Sequence, residues 1–368
     1  MGSPLRILHV VVNMNRGGAE TLIMNLYRNI DRSKIQFDFL TSKVGVFDTE
    51  ILNLGGKIHR IPYLTDVGHF KYKKQLNEFF KQNGDYKVVH AHMDKMSGLV
   101  LQSAKKAGIP KRISHSHNTQ SEGSLAARIY KWYAGTLIMP NATNFLACSR
   151  QAAKWLFKEK TNVNILKNGI DYNLYSYSSE IRYKVRKELN IANDAFILGH
   201  VGRFAHQKNH TYLIDIFSNF NKQKENSILI LVGDGPLKPE ILAKVKSLNL
   251  ESKVKFIGVR SDINRILQAF DVFVFPSLHE GLPVSLIEAQ ATGLPCLISN
   301  RISKEVDLGI NLIEFLPIDN SLPWASNLIE ITCRNTSRTI KSDFLTKQGY
   351  SIYETADKIK DYYLSMTG

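Results

Sequence analysis

The 368-residue sequence predicts an α/β chain of two domains, each a parallel sheet with helices on both faces. Three observations carry that prediction. Short apolar runs alternate with segments of helical period along almost the whole chain, the pattern that builds strand-helix-strand crossovers and hence parallel strands. The alternation pauses at a polar and aromatic stretch, DYNLYSYSSE from Asp171 to Glu180, and then starts again. The length, finally, supports two cores of about 170 residues each. The expected boundaries are 1–170 and 171–351.

The first half opens with RILHVVV (Arg6 to Val12), a buried-strand signal, followed by Gly17-Gly18 and a helix whose apolar positions recur at Leu22, Leu26 and Ile30. Strands then read at 37–40, 57–61, 88–92, 112–117 and 144–148. Helices read near 72–81, 97–107 and 150–158, before NILKNGID at 164–171. The stretch SLAARIYKWYAGTLIM (124–139) sets Leu125, Ile129, Trp132, Tyr133, Leu137 and Ile138 beside Arg128 and Lys131. It fits either a basic amphipathic helix resting in a membrane interface or an ordinary core helix.

After the pause a basic helix is expected near 180–189. Strands follow at 197–204, 227–235, 254–258, Val272 to Phe275 and Cys296 to Asn300, with helices near 209–224, 237–248, 262–270, 283–292 and 324–332. A last helix runs from Ile352 to Tyr363. The tract from Ile302 to Pro323 is assigned no role. In a pair of doubly wound domains, ligands collect near the strand C-termini and in the cleft the domains leave.

Composition bounds the partners. No run of 18 apolar residues predicts a membrane span, and the N-terminus has no signal-peptide pattern. Three widely separated cysteines, Cys148, Cys296 and Cys333, fit a reducing cytoplasm. The net charge of +15 is lopsided: residues 1–168 carry 25 Lys and Arg against 11 Asp and Glu, whereas the remainder carries 23 against 22. Nucleic acid, an anionic lipid surface or a lipid diphosphate would each suit the basic half. No nucleic-acid-binding module is present to favour the first.

The chemistry concentrates between Pro276 and Asn300, PSLHEGLPVSLIEAQATGLPCLISN. Its strand, loop and helix place Pro283 in the first helical turn, so the amides of Val284 and Ser285, beside Gly281 and Leu282, form an anion site at a positive dipole end. Glu280 and Glu288 bracket it, and Pro283 to Glu288 spans on the order of 7 Å, roughly a diphosphate to its ribose. A plain crossover with two exposed acids is the alternative. GRFAHQKN (202–209) ends another strand with Arg203 and Lys208, two cations suited to neutralising a diphosphate leaving group. VGDGP (232–236) exposes backbone at Gly233 and Gly235 to a nucleotide or to a neighbouring chain segment, and Val259 and Arg260 could meet a base edge. Gly17-Gly18 offers bare amides at a helix start. His90/His92 and His115/His117 are i,i+2 pairs, each pair sharing a strand face. Without Cys or carboxylate at ligand spacing they are not expected to bind metal. His117, at a strand end, is expected to reach the cleft as a hydrogen-bond donor.

Together GGAE (17–20), SHSHN with His117, GRFAHQKN, VGDGP and EGLPVSLIE, with Glu280 and Glu288 at its ends, resemble the retaining GT-B glycosyltransferases of family 4 over nearly the whole chain. The wording EGLPVSLIEAQATGLPCLIS is similar to bacterial capsule and exopolysaccharide enzymes. The resemblance implies two Rossmann-like domains facing across a cleft, acceptor on the N-terminal one and nucleotide sugar on the C-terminal one, with 352–368 returning to the first. It implies Glu288 on the ribose, Glu280 on the donor sugar's hydroxyls, Arg203 and Lys208 on the diphosphate, amides from 281–284, Gly17-Gly18 closing on phosphate or sugar, and His117 near the reacting centre. No metal or other cofactor is implied, and retention is ascribed to front-face attack. The expected reaction moves a hexose or N-acetylhexosamine from a UDP-linked donor to a lipid-linked saccharide at the inner membrane face. A nucleotide-sugar epimerase and a catalytically silent binding subunit are the alternatives.

Overall fold

The computed structural model describes residues 3–159, 162–334, 338–340 and 343–367. They form two compact units, one of 1–169 with 349–368 and one of 170–348.

The first unit is built on seven parallel strands: β1 (Leu5–Val10), β2 (Ile35–Thr41), β3 (Ile58–Arg60), β4 (Val88–Ala91), β5 (Lys111–Ser116), β6 (Asn144–Ala147) and β7 (Asn164–Ile165), in the order β3-β2-β1-β4-β5-β6-β7. β2 is buried along its whole length, as a strand covered on both faces must be. One side of the sheet is packed by the helix Gly18–Asn29 and by the last helix, Ile352–Ser365, whose Ile352, Ala356, Ile359 and Tyr363 lie in the same core as Ile7, Phe37 and Ile113. The other side carries His69–Gln82 and Ser97–Lys106, with Leu8, Tyr72, Leu76, Leu99 and Leu101 buried between.

The second unit holds six parallel strands: β8 (Phe196–Val201), β9 (Ser227–Val232), β10 (Val254–Phe256), β11 (Val272–Phe275), β12 (Cys296–Ser299) and β13 (Ile313–Leu316), ordered β10-β9-β8-β11-β12-β13. β13 lies in the tract to which the sequence assigned no role. It is a half-buried edge strand whose Glu314 and the apolar residues beside it give only a weak strand pattern. The order reverses direction between β8 and β11, where ligands of such sheets gather.

The strand entering that reversal is anchored by a buried cation cluster. Asp271 accepts from Arg182 Nη2 at 2.5 Å, Arg186 Nη2 at 2.7 Å and the Ile197 amide at 2.7 Å. Arg186 is almost wholly buried and is tolerated because the carboxylate and the carbonyls of Ala269, Asn193 and Ala195 take its donors. The cluster ties the helix Ser179–Glu188 to the starts of β8 and β11. Strand and helix ends fall short of the sequence boundaries in several places: β5 stops at Ser116, β7 spans two residues of NILKNGID, and β9 stops at Val232 before its glycine turn.

Candidate active site

The loops after β8 and β11 are neighbours because the strands pair, Leu198 opposite Val272. They are stitched together by backbone and amide bonds. Leu278 N donates to Gln207 O at 2.8 Å, Gln207 Nε2 to His279 O at 2.8 Å, and Asn209 Nδ2 to Pro276 O at 3.3 Å. Asn209 adopts the left-handed conformation (φ 55°) that ends the short helical turn His206–Lys208 and starts the helix His210–Asn221.

This stitching brings Lys208 onto Glu280, with Nζ 2.7 Å from Oε1, and onto the face of Phe275, 4.5 Å from the ring centre. Both charged groups are largely buried, so the pair is a preset unit within one site. Sequence separation hid this: the two residues are 72 positions apart, and reading each loop alone grouped Lys208 with Arg203. Arg203 is exposed on the same loop and forms no ion pair among the described residues.

The helix Val284–Ala291 starts one residue later than the sequence suggested. Pro283 is its cap and not its first residue, with extended ψ (111°). The Leu286 amide donates to the Pro283 carbonyl at 3.1 Å, which puts the amides of Val284 and Ser285 at the positive end of the helix beside Gly281 and Leu282. At the other end, Gly293 (φ 69°) closes the helix with the paired bonds Leu294 N to Ala289 O and Gly293 N to Gln290 O.

Both acids of the motif are buried, at 8% exposure each, which removes the reading of two exposed acids on an ordinary crossover. Burial pushes the Glu288 carboxyl up to about 7, opposed by the Tyr175 hydroxyl, which donates to Oε1 at 2.5 Å. Tyr175 comes from the stretch read as a linker. Its only sequence signal was three tyrosines in six residues, and a tyrosine partner for an acid 113 positions away has no local pattern.

The glycines of VGDGP have a backbone reason. A Cβ on Gly233, which has φ +136°, would lie 2.1 Å from the Gly202 carbonyl oxygen, and one on Gly235 would lie 2.4 Å from that of Phe204. The turn after β9 therefore packs on the loop that carries Arg203. Of the open pair of readings, the neighbouring chain segment accounts for these glycines. Val259 is exposed, and Arg260 is held by Asp262 in a two-pronged ion pair at 2.8 and 2.9 Å.

In the first unit, Gly17 caps the helix Gly18–Asn29 with extended backbone, and a Cβ there would meet the Glu20 carboxylate at 2.2 Å. Gly18 has open space around it. His117 follows β5, half-buried, and its amide donates to Asp94 Oδ1 at 2.9 Å. Asp94 sits in left-handed geometry (φ 47°), and burial raises its carboxyl to about 6. His117 ends a layer of five imidazoles on β1 and on or just after β4 and β5. His9 Nδ1 lies 2.9 Å from His92 Nε2, His92 Nδ1 2.9 Å from His117 Nε2, and His90 Nε2 3.1 Å from His115 Nδ1. His9 escaped the sequence reading because a single histidine inside RILHVVV looks like a core residue. Two triads of these nitrogens lie within 4.8 Å of one another, yet His9 and His92, and His92 and His117, point at each other as hydrogen bonds.

Beside Asp94, Lys95 closes a surface recess of about 370 Å³ lined also by Ser121, Leu125, Arg128, Trp132 and Trp155. The helix over it, Leu125–Thr136, leaves Leu125, Ile129 and Trp132 between 58% and 72% exposed, whereas Ile138 just beyond it is buried. No helix among the described residues is long and apolar enough to cross a membrane.

Two units, each a parallel sheet of this strand order with helices on both faces, give the chain the fold of the GT-B class. Residues 182–308 match the family described as glycosyl transferases group 1, and residues 16–174 match glycosyltransferase family 4. The chain is 38% identical to the glycosyltransferase EpsF of Bacillus subtilis (strain 168), over 98% of this chain and 97% of EpsF. It is 27% identical to an Escherichia coli UDP-Gal:alpha-D-GlcNAc-diphosphoundecaprenol alpha-1,3-galactosyltransferase, over 99% and 98%. Among solved structures it is similar to Anabaena HepE in complex with UDP and glucose, with a TM-score of 0.81 and 21% identity over 98% of this chain and all of that one. The fold is likewise similar to that of WaaG, a glycosyltransferase involved in lipopolysaccharide biosynthesis, with a TM-score of 0.70 and 15% identity over 96% and 95%. The chain belongs to the GT-B glycosyltransferases of group 1, family 4, a retaining family that uses nucleotide sugars.

Proposed function

We propose that this enzyme transfers a hexose or N-acetylhexosamine from a UDP-linked donor to a lipid-linked saccharide during assembly of a bacterial surface polysaccharide. The observation that carries the reading is the buried Lys208–Glu280 pair beside the start of the helix Val284–Ala291. A cation and a dipole end serve the diphosphate, and two acids on separate sides serve sugar and ribose hydroxyls. In this reading Glu280 orients the donor sugar and Glu288 holds the ribose. Arg203 and Lys208 stabilise the leaving diphosphate, the backbone at Gly281, Leu282 and Val284 supplements them, and Gly17, Gly18 and His117 serve the phosphate and sugar end. Gly233, Gly235, Val259 and Arg260 shape or border the base side. The first unit takes the acceptor and the second the donor, and Arg, Lys and the dipole do the electrostatic work a metal would otherwise do.

Support for a lipid-linked acceptor comes from the basic N-terminal half, the recess at Lys95 and Arg128 with its two tryptophans, and the exposed apolar stripe above it. The relative from E. coli is named for a diphosphoundecaprenol acceptor, and HepE is described with UDP. Such a protein works at the cytoplasmic face of the membrane, held by that basic, apolar helix.

The deciding experiment incubates the enzyme with a panel of nucleotide sugars and follows nucleotide release with and without a lipid-diphosphate saccharide. Release from a UDP-sugar that rises with acceptor is expected. Absence of release from every donor overturns the transferase reading, and a product with inverted anomeric configuration overturns the retaining mechanism. Interconversion of the donor sugar without transfer would establish the epimerase instead.

A further inference from the structure

The histidine layer of the first unit contains a row that does more than pack. His9 on β1, His92 after β4 and His117 after β5 are joined head to tail at 2.9 Å and 2.9 Å. The strands are adjacent and parallel, with His9 opposite His90, so the row crosses three strands diagonally toward their C-terminal ends. His9 and His92 are buried, and burial holds all three rings far below the usual histidine range, reinforced at His92 by the neighbouring imidazoles and opposed at His9 by Asp38. Each ring is therefore neutral, with one N–H and one lone pair.

Neutrality couples the tautomers. His92 has only one proton, so it cannot donate at both ends, and the whole row runs one way or the other. Running inward, His117 donates to His92, His92 to His9, and His9 is left with an Nε2–H. That nitrogen is buried with no hydrogen-bond partner among the described residues, against the rings of Phe37 and Phe39. Running outward, His9 Nδ1–H donates to His92, His92 Nδ1–H donates to His117 Nε2, and only a lone pair is left unmet at His9. A buried N–H without an acceptor is the rarer and costlier defect, so the outward direction wins. His117 Nε2 is then occupied, and its proton sits on Nδ1.

We propose that His9 and His92 are positioning residues that hold His117 as its Nδ1–H tautomer, making it a hydrogen-bond donor to a hydroxyl oxygen of the transferred sugar. The sugar assignment rests on the function proposed above; the tautomer assignment does not. His90 and His115 form a separate row that ends on the Tyr363 hydroxyl, 2.6 Å from His90 Nδ1, and serve to seat the returning helix.

The test is heteronuclear NMR of the full chain with labelled histidine ring nitrogens. In the wild type His117 is expected neutral and protonated at Nδ1. His9→Leu removes the first donor and should leave His117 as a mixture of tautomers, while His9→Asn, whose amide stands where Nδ1 stood, should restore the single form. In turnover, His9→Leu should lower kcat about fivefold to tenfold with little change in KM for the donor. His9→Asn should recover it, and the loss should vanish when His117 is already Ala. Protonation of wild-type His117 at Nε2, an unchanged tautomer in folded His9→Leu, additive losses in the double variant, or a stoichiometric metal on these rings in the purified protein would each overturn the proposal. The wild-type spectrum decides the tautomer even if His9→Leu does not fold. If the spectra behave as expected and His117→Ala turns over normally, the row stands and the sugar assignment falls.

Discussion

Lys208 and Glu280 are each other's partner before any ligand arrives, which sets what their variants should do. Removing one member leaves a buried charge without its counter-ion, a cost of about 3 kcal/mol or more. Lys208→Ala should therefore lose both thermal stability and activity. The double variant Lys208→Met/Glu280→Gln should regain most of the stability and none of the activity. A double variant as unstable as the single one would show that the pair is not coupled. Glu288 poses the opposite problem, a carboxyl that burial holds protonated up to about pH 7 against 4.5 when unfolded. The native state binds the extra proton between those values, so stability falls as pH rises from about 4.5 to about 7 and stays lowered above it. The penalty reaches up to about 3 kcal/mol. Glu288→Gln should then melt higher than the wild type at pH 8 in the absence of nucleotide, with the difference shrinking toward pH 4.5, while nucleotide binding weakens. Equal melting curves across that range would remove the burial argument.

At the scale of elements, the helix Leu125–Thr136 is held from below by Gly98. A Cβ at Gly98 would lie 2.0 Å from the Ala134 carbonyl oxygen, so the helix Ser97–Lys106 and the amphipathic helix meet with no room for a methyl group. That close seating turns Leu125, Ile129 and Trp132 outward beside Arg128 and Lys131. Replacing Leu125 and Trp132 by Ser should cut binding to vesicles containing anionic lipid at least about tenfold without lowering the melting temperature, because neither side chain is in the core. Undiminished vesicle binding would remove the membrane role. Each loop of the proposed donor site likewise owes its position to a partner loop: the glycine turn after β9 leans on the loop after β8, which is tied in turn to the loop after β11. The strands and helices were legible because each repeats its pattern locally. Those contacts were not, since a hydrogen bond between loops leaves no periodic trace in either.

For the molecule as a whole, the last helix belongs to the first unit's core. Ile352, Ala356, Ile359 and Tyr363 are buried there, and each large apolar side chain contributes about 1.5–3 kcal/mol on burial. Ending the chain at Tyr350 should cost much of a domain stability that is itself only about 5–15 kcal/mol. Aggregation or a fall in melting temperature beyond 10 °C, about what several kcal/mol implies, is the expected result. An unchanged melting profile would show that the helix is dispensable.

The succession of apolar runs and helical segments, its pause at 171–180 and the chain length determined that this chain is a pair of parallel-sheet domains, because burial on both faces of a strand requires continuous apolar runs separated by crossovers. Residue type and order likewise exposed the EGLPVSLIE segment, the two cations after β8 and the paired histidines. Only the tertiary structure decided partnership: Lys208 with Glu280, Tyr175 with Glu288, Asp94 under His117, and His9 at the head of the imidazole row. These pairs form where segments distant in sequence lie side by side. Their hydrogen bonds and charges act over a few ångströms of space, a distance that spacing along the chain does not record.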